Sequence, residues 1–287
     1  MEVGVHLPQL DLSTAPVSIE RLVAVVDAAC DLGFAAISAN DHFTFSRPWL
    51  DGLTLLAAVA ERAGAMDLVT SVGLPSLRGP VPYAAAMRTL ATLSRGRVIA
   101  GIGPGSSRED YDLMGIAWQE RWPRFEEASR VLRARFDGGP PPVELWLASW
   151  GSAAGMRRVA RYGDGWLASA YHSTPAEFGA ALGLLTDELA GVGRTIEDFG
   201  HALVTMWTWI TDDPRDAERM LEVLAVALGR SPDSLRDRVC VGSADKCAAL
   251  LRGYAAHRCR RVHFWPLGDE PAQLARLAHD VLPHVAM

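Results

Sequence analysis

The sequence predicts a (β/α)₈ barrel, the α/β fold in which eight parallel strands each lead into a helix. Three observations predict it. Strand-then-helix alternation repeats along the chain, the pattern of a parallel sheet with helical crossovers. Eight strand candidates fall within 287 residues, about the usual length for this barrel. The first strand ends in Leu7-Pro8-Gln9, so it lacks the G-x-G-x-x-G turn expected of the competing architecture, a doubly wound open sheet. No linker interrupts residues 1–287, which are expected to form one barrel domain.

The elements follow in order. Residues 3–7 are β-prone and stop at Pro8. Residues 18–32 read as a helix, with Leu22, Val25, Val26 and Ala29 on one face and Gly33 ending it. A second strand at 35–38, a helix at 53–63 and a third strand at 68–74 come next. Residues 81–93 are helical, with Pro82 tolerated in the first turn. The fourth strand, 97–102, runs into Gly101-Ile102-Gly103-Pro104-Gly105. A charged amphipathic helix at 120–136 is broken by Gly138-Gly139-Pro140-Pro141-Pro142, a shortened loop before the fifth strand at 143–148. A helix at 152–162, a sixth strand at 165–169 and a helix at 175–192 follow. Residues 201–210 are apolar and β-branched enough for the seventh strand, and 214–228 is an extra helix. A helix at 243–257, the eighth strand at 262–265 and a helix at 271–282 close the chain. Four helix-to-strand junctions resemble one another: LGFAAIS, SRGRVIAGIG, RYGDGWLAS and HRCRRVHFW.

Composition narrows the function. Apolar residues make up 49% of the chain, enough for a sizeable core. Nine Trp is many for this length, so part of the aromatic surface is expected to line a pocket. The net charge is −6 without a block of Lys or Arg, which argues against nucleic acid. The N-terminus has no signal-peptide pattern, and no apolar run reaches a membrane span. Cys30, Cys240, Cys247 and Cys259 match no zinc spacing; free thiols in a reducing cytoplasm are the simplest account.

In such a barrel the site is built from residues just after the strands. That set is rich in Gly, Ser and aromatic residues and has no cluster of carboxylates and His suited to a metal. The one Lys, Lys246, is not placed for a Schiff base. Asp41-His42 follows the second strand. His42 is either an acid–base group, its pKa lying near neutrality, or a packing side chain behind a helix-capping Asp41. Ser71-Val72-Gly73-Leu74-Pro75 ends the third strand, either as a support for a ring face or as a plain strand end. Gly103, Gly105 and Ser106 sit where glycines let a ring or phosphate approach the backbone, although a tight turn reads the same way. Ser149, Trp150, Gly151 and Ser152 open a helix, a phosphate seat or an ordinary N-cap.

Taken together, LGFAAISANDHF, PVPYAAAMRTLATLSRGRVIAGIGPG and SWGSAAGMRRVARYGDGWLAS resemble the luciferase-like flavin and deazaflavin oxidoreductases. The likeness implies a bacterial-luciferase-like barrel holding FMN or coenzyme F420 at its strand ends. It places the cofactor phosphate near Ser149, Gly151 and Ser152, and the ring near Ser71, Val72, Gly103, Ala168 and Ser169. It implies a non-proline cis peptide behind the ring, at Ser71–Val72 by position. It gives His42 the proton-donor role, with Asp41 orienting it or touching the cofactor. Some deazaflavin members carry an acid where this chain has Ser106; Glu109 and Asp110 lie nearby. The family's longer insertion near Phe136 covers part of the substrate pocket, so the short loop here implies a more open site.

The leading function is hydride transfer between F420, or FMN, and a small organic substrate. An FMN monooxygenase needing dioxygen and a partner flavin reductase is the alternative, and a non-catalytic flavin-binding protein is another. A barrel hydrolase would need a metal ligand set that the sequence does not display. The resemblance also implies a homodimer.

Overall fold

The computed structural model describes residues 1–10, 12 and 16–285. Its strands are β1 (Glu2–His6), β2 (Ala36–Ala39), β3 (Asp67–Thr70), β4 (Val98–Ile102), β5 (Glu144–Ala148), β6 (Gly165–Ser169), β7 (Gly200–Ile210), β8 (Cys240–Gly242) and β9 (Arg261–Pro266). The helices are α1 (Ile19–Asp31), α2 (Gly52–Val59), α3 (Pro75–Arg78), α4 (Pro80–Leu93), α5 (Arg108–Leu113), α6 (Arg121–Phe136), α7 (Ala153–Tyr162), α8 (Pro175–Gly191), α9 (Pro214–Leu228), α10 (Pro232–Leu235), α11 (Ala244–Ala256) and α12 (Glu270–Arg276).

Strands β1 to β7 pair in sequence and in parallel, and β9 pairs with both β7 and β1. The circuit closes into an eight-strand barrel, as the sequence predicts. The ninth strand, β8, lies outside the circuit and pairs only with the end of β7, at Thr208 to Ile210. Three residues are too few to show a period-2 pattern, which is why sequence reasoning passes over it. The short helices α3, α5 and α10 escape it for the same reason. The third strand stops at Thr70 rather than at 74. Beyond it the Ser71–Val72 peptide is cis, and Gly73 keeps a single bridge to Ile102.

Alternation along each strand makes two cores. One face of each strand packs under the helices, where Val5, Ile37, Leu68, Ala100, Leu147 and Val262 are buried with the inner faces of α1, α4, α7 and α8. The other face fills the barrel with Ala36, Val69, Ile99, Trp146, Leu167, Ala202 and Val204. Trp146 lies across the interior because its neighbours are glycines: a β-carbon on Gly165 or Gly200 would come within 2.3 or 2.2 Å of its indole. His6 and His263 are also fully buried, and burial pushes the pKa of His6 down to about 3 and that of His263 well below its usual value.

The loop over 137–143 is short, yet it does not open the site as the resemblance implies. It enters β5 from the N-terminal end of the barrel. There Arg88 of α4 donates to the Gly139 carbonyl at 3.1 Å, and Pro142 packs beside Gly96 just before β4. A helix-to-strand loop in a parallel barrel lies opposite the strand C-termini, so its length has no bearing on a cleft there.

Candidate active site

The C-terminal ends of β2 to β7 open onto a cleft of about 340 Å³. Asp41, His42, Ser71, Val72, Gly103, Gly105, Ser106, Ser149, Trp150, Ser152 and Ser169 all line it. Two sequence candidates do not. Ala168 is fully buried under the helices, because alternation turns Leu167 and Ser169 inward and Ala168 out. Gly151 has a φ of +94° and makes the turn into α7; a β-carbon there would meet Ala181 at 2.9 Å.

The adjacent Asp41 and His42 have separate partners. Asp41 is buried, and its carboxylate accepts from the Leu74 amide at 3.0 Å and from Arg78 at 2.8 and 2.7 Å. Arg78 also pairs with Asp51, the N-cap of α2. Asp41 therefore ties the second loop to the third and does not orient His42. That role falls to Asp110 on α5, whose Oδ2 lies 3.0 Å from His42 Nδ1. Its Oδ1 accepts from the amides of Phe43 and Thr44 at 2.9 and 2.8 Å. An ionised carboxylate only accepts, so Nδ1 carries the proton and Nε2 is left to exchange one. In the sequence Asp110 stands near Ser106 with nothing to link it to His42, 68 residues away in the chain.

The floor between these loops is flat and has unsatisfied polar atoms. A β-carbon on Gly103 would come within 2.7 Å of Val72 Cγ2. The buried Ser71 Oγ and Asn40 Oδ1 have no hydrogen-bond partner. On the far wall Thr205 has a φ of +62°, where the pairing of β7 with β9 slips. A non-glycine residue held there at a bulge re-aims the strand toward the cleft.

The end of the cleft over α7 differs in chemistry. Ser152 caps the helix by accepting from Gly155 N at 3.2 Å, and Ser149 Oγ accepts from Gly151 N at 3.3 Å. A β-carbon on Gly155 would lie 2.1 Å from Ser149 Oγ, so only glycine leaves this seat open. Arg158 and Arg121 line the same end, and the Nε atoms of both are buried without a hydrogen-bond partner. Arg121 stacks over Trp118 at 3.8 Å and Trp122 at 5.0 Å, and among the described residues it pairs with no carboxylate. Arg158 faces Glu126 at 3.6 Å. Two hydroxyls at a helix start and two guanidinium groups are a donor set suited to an anion.

Trp150 is 61% exposed at the rim and stacks on His172, centroids 4.0 Å apart. His172 Nδ1 hydrogen-bonds the Ser169 hydroxyl at 2.9 Å. Burial, helped by Arg230 and Arg238, pushes its pKa down to about 4. Toward β1, β7 and β9 the barrel mouth is filled rather than open. Trp265 stacks between His6 at 3.5 Å and Trp207 at 4.1 Å, and Trp49 meets it edge-on. Trp49 also backs His42, centroids 4.6 Å apart. So Trp122 and Trp150 line the cleft, while Trp49, Trp207 and Trp265 close one side of the barrel.

Among the described residues no group of His, Cys, Asp and Glu side chains is placed to hold a metal ion. No helix among the described residues is long and apolar enough to cross a membrane.

The luciferase-like monooxygenase family matches residues 1–238. A phthiodiolone/phenolphthiodiolone dimycocerosates ketoreductase from Mycobacterium sp. is 33% identical over 51% of this chain, a match that spans 44% of that relative. An F420-dependent glucose-6-phosphate dehydrogenase from Beutenbergia cavernae is 28% identical over 92% of this chain and 93% of its own. An F420-dependent secondary alcohol dehydrogenase, solved with an F420–acetone adduct, superposes with a TM-score of 0.84 at 15% identity, covering 100% of this chain and 99% of that one. The monooxygenase RslO1 from Streptomyces bottropensis superposes with a TM-score of 0.83 at 19% identity, covering 100% of both chains. At such identities the superpositions show the fold alone.

Proposed function

Since the chain belongs to the luciferase-like monooxygenase family, we propose that it is an oxidoreductase using F420 or FMN, with hydride passing between that cofactor and a small organic substrate. The observation that carries the reading is one cleft with an anion seat at one end and the His42–Asp110 pair at the other. The residues fit such a cofactor: buried Ser71 Oγ and Asn40 Oδ1 need partners beside a flat floor, Arg121 Nε has no hydrogen-bond partner, and Arg158 Nε has only a carboxylate 3.6 Å away. The phosphate would rest on Ser149, Ser152, the α7 amides and the two arginines. When bound, the ring supplies hydride acceptor or donor chemistry.

The protein's own part is positioning and proton handling. Asp110 fixes the tautomer and orientation of His42, whose Nε2 takes the substrate hydroxyl proton in oxidation and returns it to a carbonyl in reduction. Val72, Leu74 and Val204 keep water from the reacting end. Asp41 holds the loop that carries His42, through Arg78.

The activities of two relatives, an F420-dependent dehydrogenase and a ketoreductase, favour the deazaflavin form. Ser106, standing where some deazaflavin members have an acid, favours the FMN monooxygenase with a partner reductase. Four free cysteines suit the cytoplasm, and a homodimer is part of the reading. Titrating F420 and FMN separately into the purified protein, followed by absorbance, tests it. Saturable binding of one and its reduction by an alcohol is the expected result; binding without turnover of any substrate leaves a carrier protein instead.

A further inference from the structure

We propose that the substrate meeting His42 is an uncharged, largely apolar alcohol or ketone, and not a phosphorylated or carboxylated compound. This rests on the cofactor reading above and deepens it.

The lining of the cleft holds two carboxylates, Asp41 and Asp110, and two guanidinium groups, Arg121 and Arg158. Asp41 is matched by Arg78 and the Leu74 amide. Asp110 is matched by His42 and two backbone amides. Arg121 and Arg158 stand at the α7 end, where the cofactor phosphate takes them. Among the described residues that line the cleft, no cation is left over for an ionised substrate group near His42. His172 does not supply one, because its pKa of about 4 keeps it neutral. A phosphate or carboxylate entering there would lose its water without gaining a counter-charge, an expensive transfer.

The walls agree with this inventory. Val72, Leu74, Tyr171 and Val204 face the space, and Phe45 and Trp49 pack behind His42. The neutral polar atoms, Ser71 Oγ, Asn40 Oδ1 and the Thr205 hydroxyl, suffice for one hydroxyl or carbonyl.

A neighbouring cleft of about 400 Å³ shares His172 and contains Arg230 and Arg238, so it is the obvious rival seat for an anionic group. Its charges cancel. Asp233 and Asp237 line it beside the two arginines, and Arg238 is already held by Glu177 at 3.0 Å. A fixed anion there would face as many carboxylates as guanidinium groups.

The redox step balances without a further reagent. The carbinol C–H bond breaks and its hydride, with the electron pair, leaves for the bound cofactor. The O–H proton passes to His42 Nε2, and the C–O bond becomes C=O. The alcohol is oxidised by two electrons and the cofactor is reduced by two.

The test uses the full-length protein loaded with whichever cofactor binds. 1-Phenylethanol and cyclohexanol are compared with glucose 6-phosphate and lactate as reductants of the cofactor. Acetophenone and glucose 6-phosphate are titrated in parallel, with tryptophan fluorescence as a binding readout independent of turnover. The neutral alcohols should show kcat/KM at least about 100-fold higher than the anions, with a KM insensitive to salt, and acetophenone should bind where glucose 6-phosphate does not. Equal or faster turnover of either anion would overturn the inference. So would a loaded protein that binds neither neutral compound, and in that case cofactor binding itself still stands. Failure of both cofactors to bind would overturn the inference and the reading beneath it together.

Discussion

The two ends of the cleft are built on opposite principles. At the α7 end, two serine hydroxyls and the guanidinium groups of Arg121 and Arg158 gather at a glycine-lined helix start, and the buried Arg121 Nε has no hydrogen-bond partner. At the His42 end, every carboxylate is already matched, and aromatic and aliphatic side chains surround the one group free to move a proton. In the function proposed here, the serines and arginines hold a ligand of fixed charge. Matched charges mark the part where the protein must stay rigid while a substrate changes. Affinity and turnover should therefore separate along the cleft.

The largest expected effect is on turnover. His42→Ala should cut kcat by about 10²–10⁴-fold, the usual range for a lost acid–base group, and leave cofactor affinity within about threefold. Steady-state rates beside a cofactor titration check it, and a parallel loss of binding would erase the division between the two ends.

Asp110→Asn is expected to lower kcat by up to about 10⁴-fold, approaching the His42→Ala loss, because it keeps His42 in place with the wrong nitrogen protonated. The amide oxygen can still accept from Phe43 and Thr44, so its NH₂ turns to His42 Nδ1 and the proton is driven to Nε2. The pH–rate profile should shift along with kcat. A merely structural role for Asp110 would lower stability and leave the profile in place.

Next comes Gly155→Ala, which puts a β-carbon 2.1 Å from Ser149 Oγ. It should weaken cofactor binding by about 1–3 kcal/mol, as overpacking does. The activity of saturated enzyme should change little. Calorimetric titration of wild type and variant measures it, and unchanged affinity would move the phosphate elsewhere.

The smallest effect per step lies in the barrel interior, away from both ends. His6 and His263 have folded pKa values below the unfolded one. The unfolded chain therefore binds protons that the fold refuses. Their contribution to stability should be full above pH 6.5, the usual histidine value, and be lost as pH drops from there toward about 3. Each histidine contributes up to about 1.4 kcal/mol per pH unit in that window. Urea midpoints at several pH values would show it, and a flat profile between pH 7 and 5 would contradict it.

Much of this was legible in the sequence because it is local. Gly33, Gly138 and Pro8 end elements within a few residues of where they sit, and the glycine turn after β4 and the serines before α7 announce a ligand-facing loop by composition alone. What was not legible depends on distance in the chain. Asp110 becomes the partner of His42 only when α5 folds back across the second loop. Asp41 looked like its partner because the two are neighbours, yet adjacent side chains leave a loop in different directions. Ala168 failed for a related reason: in a strand, membership of a motif does not decide which face a residue takes. The tryptophan excess pointed to an aromatic pocket, but only the closed barrel shows that Trp265 and Trp207 fill one side of the mouth.

The most direct test is a spectrophotometric titration of the purified protein with F420 and with FMN, repeated with the same rings stripped of their phosphate tails. The account predicts saturable one-to-one binding of at least one intact cofactor, and about 100-fold weaker binding of its tail-less ring. Equal affinity for the intact and tail-less forms, or no saturable binding of any of them, would contradict it.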